Sequence, residues 1–255
     1  MASIDMLVCG FALTCDQGGF GFSTLSLITA GKQRILVDTG PHSRRAMLVR
    51  ALKERNLTPE QIDLVVLTHA HWDHCQNTDI FRNAQVLIHP VELEYARNPQ
   101  RGDMAVATYL PAILERMKVE TVSEGDEVAE GVSIIDTPGH SKGHLSVLVN
   151  VSGQTRLVAG DALPDAASVR RGLPYNVFWD LKDARESVAK MVASAQMFYP
   201  GHDRPFSVEG DHIHYHEGPT QITVTNSLEA GEGVTALNYE VLAHREPVVN
   251  LVQKG

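Results

Sequence analysis

An α/β fold is predicted for this chain by two interleaved patterns. Short apolar runs rich in β-branched residues recur along it, and between them lie stretches whose apolar residues repeat at helical spacing. A third observation sets the scale: with 255 residues, 43% of them hydrophobic, the chain can bury a full core without disulfides.

In order, 25–29 and 34–37 read as the first strands. A helix over 43–55 follows, its stripe made by Met47, Leu48, Ala51 and Leu52. Thr58-Pro59-Glu60-Gln61 has the capping-box form with Pro at the first helical position, which predicts a short helical turn. Strands are expected at 64–67, 84–88, 132–135, 145–151, 157–159 and 197–199; several are apolar throughout, as strands covered on both faces are. Ala184, Val188, Met191, Val192 and Ala195 make a second helical stripe, with Asp180 as its N-cap. Beyond about 205 the pattern changes: His212, His214 and His216 alternate, 221–225 reads as a strand and 235–243 as a weak helix. The expectation is one domain over 1–255, with a core of about 20–205 and a C-terminal appendage of about 206–255.

Lys+Arg 22 against Asp+Glu 31 leaves a net charge of −9, which opposes a broad grip on nucleic acid. Three cysteines, Cys9, Cys15 and Cys75, form no CxxC pair, and no apolar run reaches the roughly 20 residues of a membrane span. With no leader-like N-terminus, a cytoplasmic protein without a membrane or nucleic-acid partner is expected.

The segment 68–75, THAHWDHC, places His69, His71, Asp73 and His74 directly after a buried strand. Imidazoles and carboxylates crowded at a strand mouth carry a desolvation penalty that a divalent metal offsets. Three other strands end in the same way: 132–135 leads through Asp136-Thr137-Pro138-Gly139 to His140, 157–159 through Gly160 to Asp161, and 197–199 through Pro200-Gly201 to His202. Five imidazoles and two carboxylates are too many for one tetrahedral Zn²⁺ and suit two ions, each keeping a position for water. Mn²⁺, Fe²⁺ or Co²⁺ would accept the same donors.

HAHWDH resembles the HxHxDH signature of the metallo-β-lactamase superfamily, and the later TPGH, GD and PGH elements follow in that superfamily's order; Leu36-Val37-Asp38-Thr39-Gly40 resembles its first element. The resemblance, over about 20–205, implies a four-layer αββα sandwich with the metals at one edge. It implies that His69, His71 and His140 hold one ion, that Asp73, His74 and His202 hold the other, and that Asp161 bridges them. HSKGH at 140–144 and the stretch 77–95 are most similar to the N-acyl homoserine lactonase branch. That branch carries a tyrosine three residues beyond the bridging aspartate, where this chain has Pro164; Tyr175 is the candidate replacement.

Two divalent ions, two ligand aspartates and a bridging hydroxide leave about one positive charge at such a site, which would stabilise an anionic intermediate. Metal binding lowers the pKa of water to about 7, so a nucleophile exists at neutral pH, and Asp73 and Asp161 become the catalytic carboxylates, Asp73 carrying the proton to the leaving group. The expected activity is hydrolysis of a small molecule at a carbonyl-centred bond, a lactone or other ester first. A cyclic amide, a thioester or a small phosphodiester is the alternative on the same metal pair.

Arg170, Arg171 and Tyr175, in the stretch 166–179 between two ligand strands, read as substrate-binding residues of a covering loop; the alternative is a surface connection. Met104, Tyr109 and Leu110 are candidates for the opposite wall, and the Gly18–Gly21 run for a hairpin edging the site. His144 reads as a residue supporting the ligands, Asp38 as a residue fixing a turn or a ligand imidazole, and Cys75 as a packed side chain. His212, His214 and His216 read as a polar strand face, or as an extra metal site. Val248, Val249, Leu251 and Val252 suit either a homodimer interface or closure of the core.

Overall fold

A computed structural model of the chain describes residues 2–15, 18–210, 212–223 and 248–249. The first sheet has six strands in sequence order: β1 (Ala2–Val8), β2 (Leu25–Ala30), β3 (Gln33–Val37), β4 (Leu64–Val66), β5 (Gln85–Ile88) and β6 (Lys118–Thr121). β2 pairs antiparallel with both β1 and β3, and β3 through β6 run parallel. The second sheet has seven: β7 (Glu127–Ala129), β8 (Val132–Asp136), β9 (Leu145–Val151), β10 (Gln154–Gly160), β11 (Met197–Pro200), β12 (Phe206–Glu209) and β13 (His212–Tyr215). Only the β10–β11 pair is parallel, and it needs a crossover, which α5 (Ala167–Arg171) and α6 (Leu181–Ser194) provide.

Alternation along the strands sorts the apolar residues into three layers. Ile35 and Val37 of β3, Leu64 and Val66 of β4 and Leu87 of β5 face Val132 and Ile134 of β8, Val147 and Val149 of β9 and Val158 of β10, so one core lies between the sheets. The intervening residues Leu36, Val65, Val86 and Ile88 point the other way. They pack on Leu48, Ala51 and Leu52 of α1 (Arg45–Glu54), Cys75 of α2 (Trp72–Cys75), Tyr95 and Ala96 of α3 (Pro90–Arg97) and Leu110 and Leu114 of α4 (Leu110–Leu114). On the far face of the second sheet, Ile135, Leu157, Ala159 and Phe198 pack on Val188 and Met191 of α6. The layers are therefore helix, sheet, sheet, helix, and the fold is α/β as expected.

Local signals act where the sequence places them. Asp180 accepts from the backbone N–H groups of Lys182 at 2.8 Å and Asp183 at 3.0 Å, capping α6. The Gln61 side chain reaches back to the Thr58 N–H at 2.9 Å, closing the capping box.

The sheets exceed the expected core of 20–205 at both ends. β1 lies at the edge of the first sheet, where Ser3 and Asp5 alternate with the inward Ala2, Ile4 and Met6, so it lacks the continuous apolar run that marks the inner strands. β12 and β13 form a hairpin that extends the second sheet, so 206–215 belongs to the sandwich. Residues 221–223 form no strand; 224–225, the expected helix at 235–243, and Leu251 and Val252 lie outside the described residues. Val248–Val249 pairs in parallel with Asn176–Val177.

Replacing Asp180 with Ala leaves two N–H groups of α6 without their acceptor and should destabilise the protein by about 1 kcal/mol, lowering Tm by roughly 2–4 °C. Thermal denaturation of the metal-free protein checks this, and an unchanged Tm would refute it.

Candidate metal centre

All four ligand-bearing strands end on the same edge of the sandwich. β4 continues through Thr68 to His69, β8 through Pro138-Gly139 to His140, β10 ends next to Asp161, and β11 runs through Gly201 to His202. After His71 the chain turns at once into α2, which brings Asp73 and His74 back beneath the strand end. Two glycines permit the close approach. A Cβ on Gly139, whose φ is +125°, would lie 2.2 Å from the Ala184 nitrogen, and one on Gly201 would lie 2.1 Å from Asp161 Oδ1.

The seven expected ligands converge in three overlapping groups: His69, His71 and His140; His69, His74 and Asp161; Asp73, His74 and His202. Within each group the ligand atoms lie within 4.8 Å of one another. All except the partly buried His202 are buried. Asp161 faces both ends, with Oδ1 3.3 Å from His74 Nε2 and 3.2 Å from His202 Nε2, and Oδ2 3.5 Å from His140 Nε2. Asp73 Oδ2 lies 3.3 Å from His202 Nε2.

Each imidazole is held from behind, and the holder determines which nitrogen faces inward. The His140 Nδ1–H donates to the Asn176 carbonyl at 2.8 Å, leaving Nε2 inward. The His74 Nδ1–H donates to Asp38 Oδ2 at 2.7 Å. Thr68 Oγ1 gives its own hydrogen to Asp38 and so accepts from the His69 Nδ1–H at 3.0 Å. His202 Nδ1 lies 3.3 Å from the Phe11 carbonyl. His71 is reversed: its Nε2–H donates to Asp103 Oδ2 at 3.2 Å, so Nδ1 faces inward.

With the rear protons so placed, His71 Nδ1 and His140 Nε2 confront each other at 3.0 Å with lone pairs, which only a proton or a cation between them can reconcile. His69 Nε2, His74 Nε2 and Asp161 Oδ1 are buried without a hydrogen bond, the short His74–Asp161 contact being misaligned for one. Unpaired polar atoms in a dry site are unfavourable, and a divalent cation satisfies them together once His74 gives up its second proton, so this donor set fits a metal pair.

The supporting residues divide into those visible in the sequence and those not. Asp38, at φ 59°, accepts from the Thr68 N–H at 2.8 Å and holds His74, filling both roles expected of it. His144 Nε2 accepts from the Asp161 and Ala162 N–H groups at 3.0 and 3.3 Å, so it positions Asp161 and does not face the ions. Cys75 is buried and donates to the Ala70 carbonyl. Nothing in the sequence pattern singles out Asp103 or Asn176, and little singles out Glu92. The fully buried Glu92 accepts from the Ala70 N–H at 2.9 Å, from Ser141 Oγ at 2.9 Å and from the Gly143 N–H at 2.8 Å, clamping the His69–His71 loop to the His140 loop. Its signal is faint: it shares the inner face of α3 with Tyr95 and Ala96, at helical spacings of three and four.

The stretch 166–179 does lie against the centre, but through its second half. The Phe178 ring packs 5.0 Å from His71 and 5.4 Å from His140, beside the Asn176 contact. Arg171 is occupied elsewhere, donating to Asp165 Oδ1 at 2.9 Å and Ser168 Oγ at 2.8 Å, with Tyr175 beneath its guanidinium at 6.0 Å; Arg170 is exposed. Leu110 is fully buried in the core and cannot form a wall, whereas Met104 and Tyr109 are exposed. Gly18–Gly19 pairs with Thr14–Cys15, and Phe11 bridges Phe22, so a hairpin does stand beside His202. His212 and His214 lie on the edge strand β13, His214 3.7 Å from Glu209, and His216 follows with Nε2 on Ser207 Oγ.

Burial pushes His69 well below the usual histidine range and His140 down to about 4. For His202 and His74 burial acts in the same direction, but Asp161 and Asp73 outweigh it, raising His202 to about 9 and holding His74 well above its ordinary value. The same imidazoles lower Asp161 well below the carboxylate range against the opposing effect of burial.

The fold and its site together define a divalent-metal hydrolase. The sequence profile of the metallo-β-lactamase superfamily matches residues 18–202, and the chain belongs to that superfamily. A probable metallo-hydrolase of Methanocaldococcus jannaschii is 30% identical over 169 residues, 66% of this chain and 70% of that protein. An N-acyl homoserine lactonase of Bacillus cereus is 33% identical over 103 residues, 40% of this chain and 38% of the lactonase. Among solved structures, a dizinc quorum-quenching lactonase in complex with its product superposes with a TM-score of 0.62 at 16% identity, over 81% of this chain and 82% of that one.

Two outcomes are expected. Zinc uptake at pH 7 should release about two to three protons, from His74, His202 and His71, because their raised pKa values favour the charged form until a metal displaces the protons. Affinity should therefore weaken as pH falls; calorimetry in buffers of different ionisation enthalpy reads the count, and a pH-independent affinity between pH 6 and 8 would refute it. Replacing Glu92 with Gln turns an N–H₂ toward at least one of its three donors and should lower the stability of metal-free protein by about 1–3 kcal/mol, measured by urea denaturation.

Proposed function

We propose that the protein opens a lactone or other uncharged ester, using two divalent ions, zinc first among the candidates. His69, His71 and His140 would hold one, Asp73, His74 and His202 the other, with Asp161 between them. The observation that carries this reading is the set of inward-facing ring nitrogens, each oriented by a hydrogen bond on the opposite side of its ring. When bound, such ions lower the pKa of water to about 7 and polarise a carbonyl oxygen.

The chain's own residues do the rest. Asp73, at the partly open end of the cluster beside His202, is placed to accept a proton and pass it to the departing alkoxide. Phe178 covers the His71–His140 side and excludes water from it. With Pro164 at the position of the lactonase tyrosine and Tyr175 beneath Arg171, no tyrosine role is assigned.

Charge balance supports an uncharged substrate over a phosphodiester. Two ions bring +4, and Asp73, Asp161, Asp38 and Asp103, all in contact with the ligand imidazoles, bring −4. Among the described residues no lysine or arginine pairs with Asp73 or Asp161, so nothing adds a positive surplus to attract an anion. The partial similarity to N-acyl homoserine lactonases points to the same class. Exposed Phe20 and Leu13 on the hairpin, and Met104 and Tyr109 on the loop beside His71, suit a small molecule with an apolar part.

The test is acid release by zinc-loaded protein in weak buffer with lactones, thioesters, β-lactams, cyclic amides and small phosphodiesters. Release with lactones and none with phosphodiesters is expected; release with phosphodiesters alone would overturn the proposal. His69→Ala should lose about 100-fold or more in rate together with one bound ion, and full turnover at normal metal content would contradict the ligand assignment.

A further inference from the structure

The inward nitrogen of His71 is the odd one in the centre, and the group behind it explains why. Asp103 has a fully buried side chain that takes three donors: the His71 Nε2–H at 3.2 Å and the Tyr95 O–H at 2.9 Å on Oδ2, and the Ala105 N–H at 3.2 Å on Oδ1. The segment carrying it is tied to the ligand loop on both sides, by the Trp72 N–H to the Ala105 carbonyl at 2.9 Å and the Ala107 N–H to the Ala70 carbonyl at 2.8 Å. Asp103 is thus held in place by protein groups on its own side of the ring. It mirrors Asp38, which stands behind His74 on the other side of the cluster.

We infer that Asp103 is a positioning residue of the metal centre: by accepting from Nε2 it commits His71 to present Nδ1, and it thereby sets the affinity for the ion shared with His69 and His140. The inference rests on the metal-pair reading above. Three donors demand an acceptor-only group, which a carboxylate is and an amide is not. In Asp103→Asn one orientation turns N–H₂ toward the Ala105 N–H. The other donates to His71 Nε2, which moves the imidazole proton to Nδ1, the nitrogen that must be free. The replacement keeps the shape and corrupts the tautomer.

Full-length protein stripped of metal and titrated with zinc against a competing chelator tests this. Wild type should bind two zinc ions, and no zinc binding would overturn the metal-pair reading and this inference together. Asp103→Asn should weaken one of the two sites by about 10–100-fold, while Tyr95→Phe, which spares the His71 contact, should stay within about threefold. Equal loss in both variants would reduce Asp103 to a loop staple, and unchanged affinity in a folded Asp103→Asn would overturn the inference while leaving the metal pair intact. Imidazole nitrogen NMR of zinc-loaded wild type decides independently of how well the variant folds. One histidine should carry a proton on Nε2 with Nδ1 bound to zinc; five rings all bound through Nε2 would refute the assignment.

Discussion

Five imidazoles and two carboxylates meet at the edge of an apolar sandwich, and the surrounding structure is arranged to make that meeting tolerable. Buried polar groups must be paired, and here the pairing is asymmetric: one nitrogen of each ring is held by the surrounding protein, the other faces the cluster. The acceptors come from unrelated parts of the chain: Asp38 after β3, Asp103 in the loop after α3, the Asn176 carbonyl before α6 and the Phe11 carbonyl of the hairpin. Orientation is therefore a property of the whole fold. No single loop could supply it.

That constraint explains why the two sheets must sit where they do. His69, His71, Asp73 and His74 belong to the first sheet, and His140, Asp161 and His202 to the second. The inter-sheet core of Ile35, Val37, Val66, Val147 and Val158 fixes their separation, and Glu92 bolts the two ligand loops together across the gap. A close-packed core transmits displacement, so a loss of volume there would be felt at the metals before it unfolded the chain. Gly139 and Gly201 serve the same end by letting backbone pass within a side chain's width of α6 and Asp161.

Electrostatics then narrows the chemistry. Desolvation alone would leave every imidazole neutral, as it does His69 and His140, but the carboxylates raise His71, His74 and His202. The cluster is poised to exchange protons for metal. The carboxylates that orient the ligands also cancel the charge that the ions would bring, so the centre can activate water and a carbonyl without strongly attracting anions.

The sequence by itself brought out the candidate ligands, because each follows an apolar strand through a glycine or a tight turn, and both signals are local. It also determined the strands of the two sheets that read as near-continuous apolar runs, the α6 cap at Asp180 and the supporting parts played by Asp38 and His144. Only the tertiary structure decided which other residues stand behind the candidate ligands. Asp103 and Glu92 are ordinary acidic residues until α3 and the loop after it are folded against the His69–His71 segment, and Asn176 acts through a carbonyl that any residue would offer. Arg171 shows the converse: it lies at the expected place in the chain, yet Asp165 and Ser168, close to it in sequence, claim its guanidinium. Local patterns report which chemical groups are present and on which element. Their partners depend on how distant segments approach one another, and no local pattern encodes that.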